Sequence, residues 1–227
     1  TRQINKRYRK TPVGYLQDTG ILGPGTIAAH CVYLTNEDIK ILRETDTKIA
    51  HCPRWLAKLG ITAPLISWLQ NGLTVGLGTD DGFFADMFEQ MRCAIIAARI
   101  RTAQDISPSP LKVLEMSTID AAKVVGLEKD IGSLEPDKKA DIILVNIRKP
   151  HLIPMLNTIP NLVHNVNGND VEISIINGEV VMEDGIVRTI NEEAVLAQAQ
   201  EVSDRLWSKF EQLYGKEGLV KNNRRLP

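Results

Sequence analysis

Three short apolar runs, each ending in a residue able to bind a metal or move a proton, constrain this chain more than any other feature. Gly25-Thr-Ile-Ala-Ala-His30 is the first, Thr47-Lys-Ile-Ala-His51-Cys-Pro53 the second and Leu73-Thr-Val-Gly-Leu-Gly-Thr-Asp80 the third. They read apolar throughout rather than alternating, so both faces should be buried, as in a parallel α/β sheet. Helix signals lie between and after them. Thr35-Asn-Glu-Asp38 forms a capping box that opens a helix to about Glu44. Pro64 starts a helix that ends at Asn71-Gly72, and Asp86 starts a long one to about Thr102. A further helix is predicted from Pro110 to Val125, stopped by Gly126. Residues 21–125 therefore contain three βα units, a fraction of the eight that close a barrel. Residues 1–20 read as a helix end and a connector broken at Pro12-Val-Gly14.

After Gly126 the pattern changes. The β-branched run Ala140-Asp-Ile-Ile-Leu-Val145 is followed by Val171–Ile176 and Glu179–Met182, which flank the hairpin pair Asn177-Gly178. From Glu192 to about Leu213, apolar residues at Val195, Leu196, Ala199, Val202, Leu206, Phe210 and Leu213 form one helical stripe, expected to pack back on the body. This divides the chain into an α/β part (1–126), a small β part (127–190) and a C-terminal amphipathic helix with its tail (191–227).

With 227 residues and a formal charge of −1, the chain offers no general attraction to nucleic acid or to an anionic membrane. Only Lys221-Asn-Asn-Arg-Arg225 is locally basic, as a solvated terminus would be. No apolar run approaches the roughly 20 residues that span a bilayer, and the start has no signal-peptide core. Cys31, Cys52 and Cys93 form no CxxC pair and read as reduced core thiols of a cytoplasmic protein.

In a parallel barrel the C-terminal strand ends carry the chemistry. Asp80 at such an end can ligate Zn²⁺ or Fe²⁺ and take a proton from an activated water, or it can cap the following helix. His30 is either a site imidazole or a satisfied core one. His51, next to the Cys52 that Pro53 restricts to extended geometry, is a weaker candidate, and His151 and His164 in the β part read as structural. Trp55 either stacks on a ring in an apolar pocket or covers the core. Phe83 and Phe84 either narrow the pocket mouth or pack under the next helix.

Ala28-Ala-His30-Cys-Val-Tyr-Leu-Thr35, His51-Cys-Pro53, Gly60-Ile-Thr-Ala-Pro-Leu65 and Val75-Gly-Leu-Gly-Thr-Asp80 together resemble the amidohydrolase superfamily. The resemblance is to its triazine hydrolase and chlorohydrolase group, which also holds the methylthioadenosine and S-adenosylhomocysteine deaminases. It continues through Asp86-Met-Phe-Glu-Gln-Met-Arg92, Gly132-Ser-Leu-Glu-Pro136, Lys149-Pro-His-Leu-Ile-Pro154 and Asn167-Gly-Asn-Asp-Val171. It implies the C-terminal part of a (β/α)₈ barrel, with His30, His51 and Asp80 ending its sixth, seventh and eighth strands, plus part of a β-sandwich. The implied cofactor is one divalent metal, zinc or alternatively iron, with Asp80 as ligand and proton acceptor. His30 would orient the electrophile, and His51, Trp55 and Phe83 would join it in binding a small heterocyclic substrate. The implied reaction is hydrolytic deamination of a heterocyclic amine, with dechlorination or dealkylation of a triazine-like ring as the alternative.

The family's first-strand His-x-His, fifth-strand His and proton-shuttling Glu have no counterpart here. The expected partner is therefore the N-terminal half of the barrel, as upstream chain or as a separate polypeptide, and a homo-oligomer is plausible. A truncated, non-catalytic interaction module is the reading from outside the enzymes.

Overall fold

A computed structural model describes residues 2–82, 85–103 and 106–215. Two helices come first, α1 (Arg2–Tyr8) and α2 (Pro12–Asp18). The expected connector at Pro12 is thus a helix: Thr11 caps it by accepting from Gly14 N at 3.0 Å, and Pro12 occupies the first turn, where its missing N–H costs nothing. Strands β1 (Ile27–Ala29), β2 (Lys48–His51) and β3 (Val75–Leu77) form a parallel sheet in that order, with Ala28 opposite Ile49 and Ala50 opposite Gly76. Burial of both faces holds for β3 but not for β1, where Ile27 is exposed.

Helix α3 (Asn36–Glu44) carries the expected capping box, Asp38 N donating to Thr35 Oγ1 at 3.1 Å and Thr35 N to Asp38 Oδ2 at 2.9 Å. The Thr11 hydroxyl also donates to Asp38, tying the start of α2 to α3. Next come α4 (Pro53–Lys58), which the sequence did not announce, α5 (Leu65–Gln70) and α6 (Met87–Thr102), capped by Asp86. The helix expected over residues 110–125 is two, α7 (Pro110–Ser117) and α8 (Ile119–Val125). They part at Thr118, whose φ of −126° and ψ of −99° are not helical. The Ser117 and Thr118 hydroxyls bond back to the carbonyls of Val113 and Leu114, at 2.9 and 2.8 Å, a habit that bends helices. Helix α8 lies directly on β3. A Cβ built on Gly76 would stand 2.9 Å from Ala121 Cα, so only glycine permits that approach.

The second sheet is antiparallel, β4 (Ile142–Val145), β5 (Val171–Ile176), β6 (Glu179–Glu183) and β7 (Ile186–Val187), in sequence order. Asn177 (φ 52°) and Gly178 (φ 83°) make the predicted tight hairpin. Between β4 and β5 lies α9 (Thr158–Asn165), also unannounced, whose Val163 enters the same core as Ile49, Val75, Trp68, Ile95 and Met116.

Helix α10 (Glu192–Tyr214) forms where expected, with Asn191 accepting from Ala194 N at 3.0 Å, but it buries no residue. Leu196, Leu206 and Leu213 remain exposed, so the expectation that the stripe packs on the body is wrong for the described residues. Periodicity specifies a helix and its face; it carries no information on what covers that face. No helix among the described residues is long and apolar enough to cross a membrane. Lys221–Arg225 lie outside the described residues.

Candidate metal and substrate site

The parallel sheet brings its three C-terminal ends together, as adjacent parallel strands must. The ladder continues past β1 and β3: His30 N donates to Ala50 O at 3.0 Å, and Gly78 N to His51 O at 2.9 Å. Beyond those bonds the backbone turns abruptly. His30 (φ 64°), Cys31 (φ 44°) and Asp80 (φ 73°) all lie in the left-handed region. For residues other than glycine this costs on the order of 1 kcal/mol each, and such conformations cluster where function requires a particular side-chain direction.

The result is a contact between His30 Nε2 and Asp80 Oδ2 at 3.2 Å. Both side chains stay about one-third exposed, 37% and 32%, so the pair faces solvent rather than filling the core. Of the two readings of His30, the satisfied core imidazole is excluded: its Nδ1 is buried without a protein partner. The cap of α6 is Asp86, which accepts from Phe88 N at 2.8 Å and Glu89 N at 3.3 Å, so Asp80 is not committed to that helix.

Cys52 joins them. One ligand atom from each of His30, Cys52 and Asp80 lies within 4.8 Å of the others. The donor set suits a divalent ion of zinc type, to which imidazole, thiolate and carboxylate all bind. Burial, followed by the nearby Asp80 carboxylate, pushes the Cys52 thiol up to about 11, against a smaller opposing pull from the Asp80 backbone N–H. By sequence Cys52 reads as a reduced core thiol. Its position directly after His51, at the end of β2, was the available signal.

His51 is elsewhere. Its ring is buried edge-on to Trp68, centroids 5.5 Å apart, and Nδ1 has no protein partner. Burial, with a smaller effect from His30, lowers its pKa to about 3, so the imidazole is neutral.

Trp55 does meet His30 across a cavity of about 400 Å³ that opens beside the pair. Val32, Leu56, Leu59 and Ile61 supply apolar wall, Asp38 a polar edge, and Lys58 Nζ sits 5.1 Å from the Trp55 ring centroid. Such a slot, mostly apolar with a few convergent polar groups, suits a flat ligand. Phe83, the remaining expected substrate contact, and Phe84 lie outside the described residues.

Residues 2–181 match the model of the amidohydrolase family. The chain belongs to that family. Within it, a 5-methylthioadenosine/S-adenosylhomocysteine deaminase of Pelotomaculum thermopropionicum is 43% identical over 209 residues, covering 90% of this chain and 48% of the relative. A 5'-deoxyadenosine deaminase of Methanosarcina mazei is 36% identical over 207 residues, covering 89% and 48%. This amidohydrolase chain spans about half the length of the curated relatives it matches. Among solved structures it shares its mixed α/β fold with a zinc-bound adenosine deaminase from Xanthomonas campestris (TM-score 0.87, 23% identity, 91% of this chain, 48% of the other). It also shares it with the zinc complex of an Arthrobacter aurescens atrazine chlorohydrolase (TM-score 0.77, 24% identity, 87% and 45%).

Proposed function

We propose that this amidohydrolase chain is the C-terminal part of a metal-dependent hydrolase that removes an amino group from a heterocyclic ring, most simply an adenine nucleoside. The observation that carries the reading is the solvent-facing His30–Asp80 pair at 3.2 Å, joining two ends of one parallel sheet beside the Trp55 cavity. The names of the relatives, deaminases of 5'-substituted adenosines and S-adenosylhomocysteine, support the substrate class. Zinc in the fold neighbours supports a divalent ion.

In this reading β1, β2 and β3 are the last three strands of a (β/α)₈ barrel. Residues 1–126 belong to the barrel, 127–190 to a β-sandwich and 191–227 to a terminal helix and tail. Among the described residues β1 and β3 each have one paired neighbour, and open edges of this kind are normally closed. The inferred partner is the other part of the barrel, which would supply the remaining ligands and the acid/base carboxylate. The exposed stripe on α10 is compatible with a homo-oligomer, and three unpaired thiols suit a cytoplasmic setting.

A divalent cation held at this site acts as a Lewis acid and makes water nucleophilic at neutral pH. Asp80 would ligate it with one carboxylate oxygen and accept the proton of the attacking water with the other. His30, 3.2 Å from Asp80, would orient and polarise the ring carbon under attack, while Trp55 would stack on the ring and the apolar wall would exclude bulk water. His51, neutral and packed on Trp68, would support His30 from behind rather than exchange protons.

The test is a substrate panel with this chain assembled with the other part of its barrel, measuring ammonia, chloride and alkylamine release, repeated with Asp80→Asn. Ammonia release from an adenine nucleoside, lost in the variant, is expected. Chloride release from a chlorotriazine would instead favour the chlorohydrolase reading, in line with the fold neighbour of that name. Undiminished turnover by Asp80→Asn would sink the role assigned to that residue, and a protein silent on every substrate would favour an interaction module.

A further inference from the structure

Helix α4 carries Trp55 and part of the apolar wall of the cavity, yet it does not hold itself in place. It has six residues, where about 12 are needed for a helix to stand alone in water. Cys52, at its N-cap, makes no side-chain bond to it, and Pro53 brings no N–H. Its first N–H, that of Arg54, is satisfied from another helix. It donates to Gln90 Oε1 at 3.3 Å, and Gln90 is completely buried one turn into α6. Beside it Arg54 Nε meets Glu89 Oε1 at 2.6 Å. At the far end of the same segment Arg101 Nη1, near the end of α6, donates to Thr62 O at 2.7 Å. Residues 54–62 are therefore pinned to α6 at both ends. Helix α6 is itself fixed at its start by Asp86, which accepts from Phe88 N, Glu89 N and Gly168 N. Asp80 lies just upstream of that cap in the chain. One anchored helix thus sets where both Trp55 and Asp80 stand.

We propose that Gln90 and Glu89 are positioning residues for substrate binding: from α6 they hold α4 and so fix the Trp55 ring relative to Asp80. The proposal rests on the reading above that a heterocycle stacks on Trp55. Of the two, Gln90 carries the larger share. The side chains of the Arg54–Glu89 pair are 28% and 36% exposed, and ion pairs open to water add little. Removing the buried amide instead leaves the Arg54 N–H without its acceptor, which is the costlier loss. Stacking on a fixed ring favours ground state and transition state alike, so a loosened α4 should show in KM and leave kcat nearly unchanged.

Fluorine NMR of the chain assembled with the other part of its barrel, with 5-fluorotryptophan in place of tryptophan, tests the positioning directly. The line that disappears in Trp55→Phe belongs to Trp55, and the other lines, that of the fully buried Trp68 among them, report on the fold. Gln90→Met removes the acceptor and keeps the shape. It should shift and broaden the Trp55 line while the others hold, and Glu89→Gln should do so more weakly. In the same assembly Gln90→Met should raise KM for an adenine nucleoside about 10-fold, the worth of one buried hydrogen bond, with kcat within about 2-fold. The double variant Trp55→Ala/Gln90→Met should show no higher KM than Trp55→Ala alone, because Gln90 acts through that ring. A Trp55 line that stays put in Gln90→Met overturns the proposal whatever the turnover. So do a disturbance of all lines alike and a KM effect that adds in full to that of Trp55→Ala. If the Trp55 line moves but Trp55→Ala leaves KM unchanged, the stacking reading fails, and the hold of Gln90 on α4 stands.

Discussion

Two histidine–aspartate pairs lie in this molecule at nearly the same separation, and they have opposite characters. His151 Nε2 stands 3.0 Å from Asp170 Oδ2, while His30 Nε2 stands 3.2 Å from Asp80 Oδ2. Asp170 is 1% exposed and both its oxygens are hydrogen-bonded: Lys149 Nζ donates to Oδ1 at 2.8 Å, and Asn167 N to Oδ2 at 2.9 Å. Burial alone would raise its pKa, but the hydrogen bonds from Lys149, His151 and Asn167 outweigh it and hold the carboxyl at about 2. The network continues outward, since Gly168 N donates at 3.1 Å to Asp86, the cap of α6. It is a closed strut that ties the β part to the helix following the site. Asp80, by contrast, is about one-third exposed to solvent, held on left-handed backbone, and faces an imidazole and a thiol. The same two residue types form a buried, hydrogen-bonded strut where both carboxylate oxygens are bonded, and a solvent-facing pair where they are not.

Exchanging the carboxylates should separate the two roles. Asp80→Asn should lower turnover by about 10²–10⁴-fold, the usual worth of a positioned proton acceptor, with little change in melting temperature. Asp170→Ala should do the reverse: about 3 kcal/mol of stability lost, the low end for a broken buried ion pair because Lys149 and His151 keep access to water. At this chain size that is a fall of roughly 6–12 °C in melting temperature. If Asp170→Ala melted like the wild type while abolishing turnover, the contrast between the pairs would collapse.

A third substitution checks the frame that both pairs share. Gly76→Ala forces a Cβ to within 2.9 Å of Ala121 Cα and 3.1 Å of Val124 Cγ2, which must displace α8 from β3. Overpacking of this kind costs about 1–3 kcal/mol, read in a denaturant titration as a lower midpoint at constant slope.

The smallest effect is in pH. The folded-state pKa of Asp170, about 2, lies below its ordinary value of 3.8, so the unfolded chain binds the proton more readily. The stabilisation is therefore complete above pH 3.8 and drains away as pH falls toward 2. Asp170→Asn should remove that contribution from the acid limb of the unfolding curve. An identical acid limb in wild type and variant would count against the strut.

Local signals account well for part of this architecture. The capping box at Thr35–Asp38, the Asp86 cap, the Asn177-Gly178 hairpin and the apolar runs ending near His30, His51 and Asp80 are each written in a few neighbouring residues, and each forms as expected. The departures have local causes that compete. At Thr118 hydroxyls took the carbonyls that a continuous helix needs, and at Pro12 a threonine cap turned an apparent breaker into a start. Helices α4 and α9 are short, and neither carries a side-chain cap bond to announce it.

What no local pattern contains is which residues meet across the chain. Residue order was enough to assign βα units and the family, because backbone geometry and short motifs repeat at short range. That Asp80 faces His30 while His51 turns inward to Trp68, that Cys52 shares the focus of the first pair, and that α10 lies bare depends on packing between segments tens of residues apart. Neighbouring parallel strands put their ends side by side, so the fold turns three separate motifs into one site.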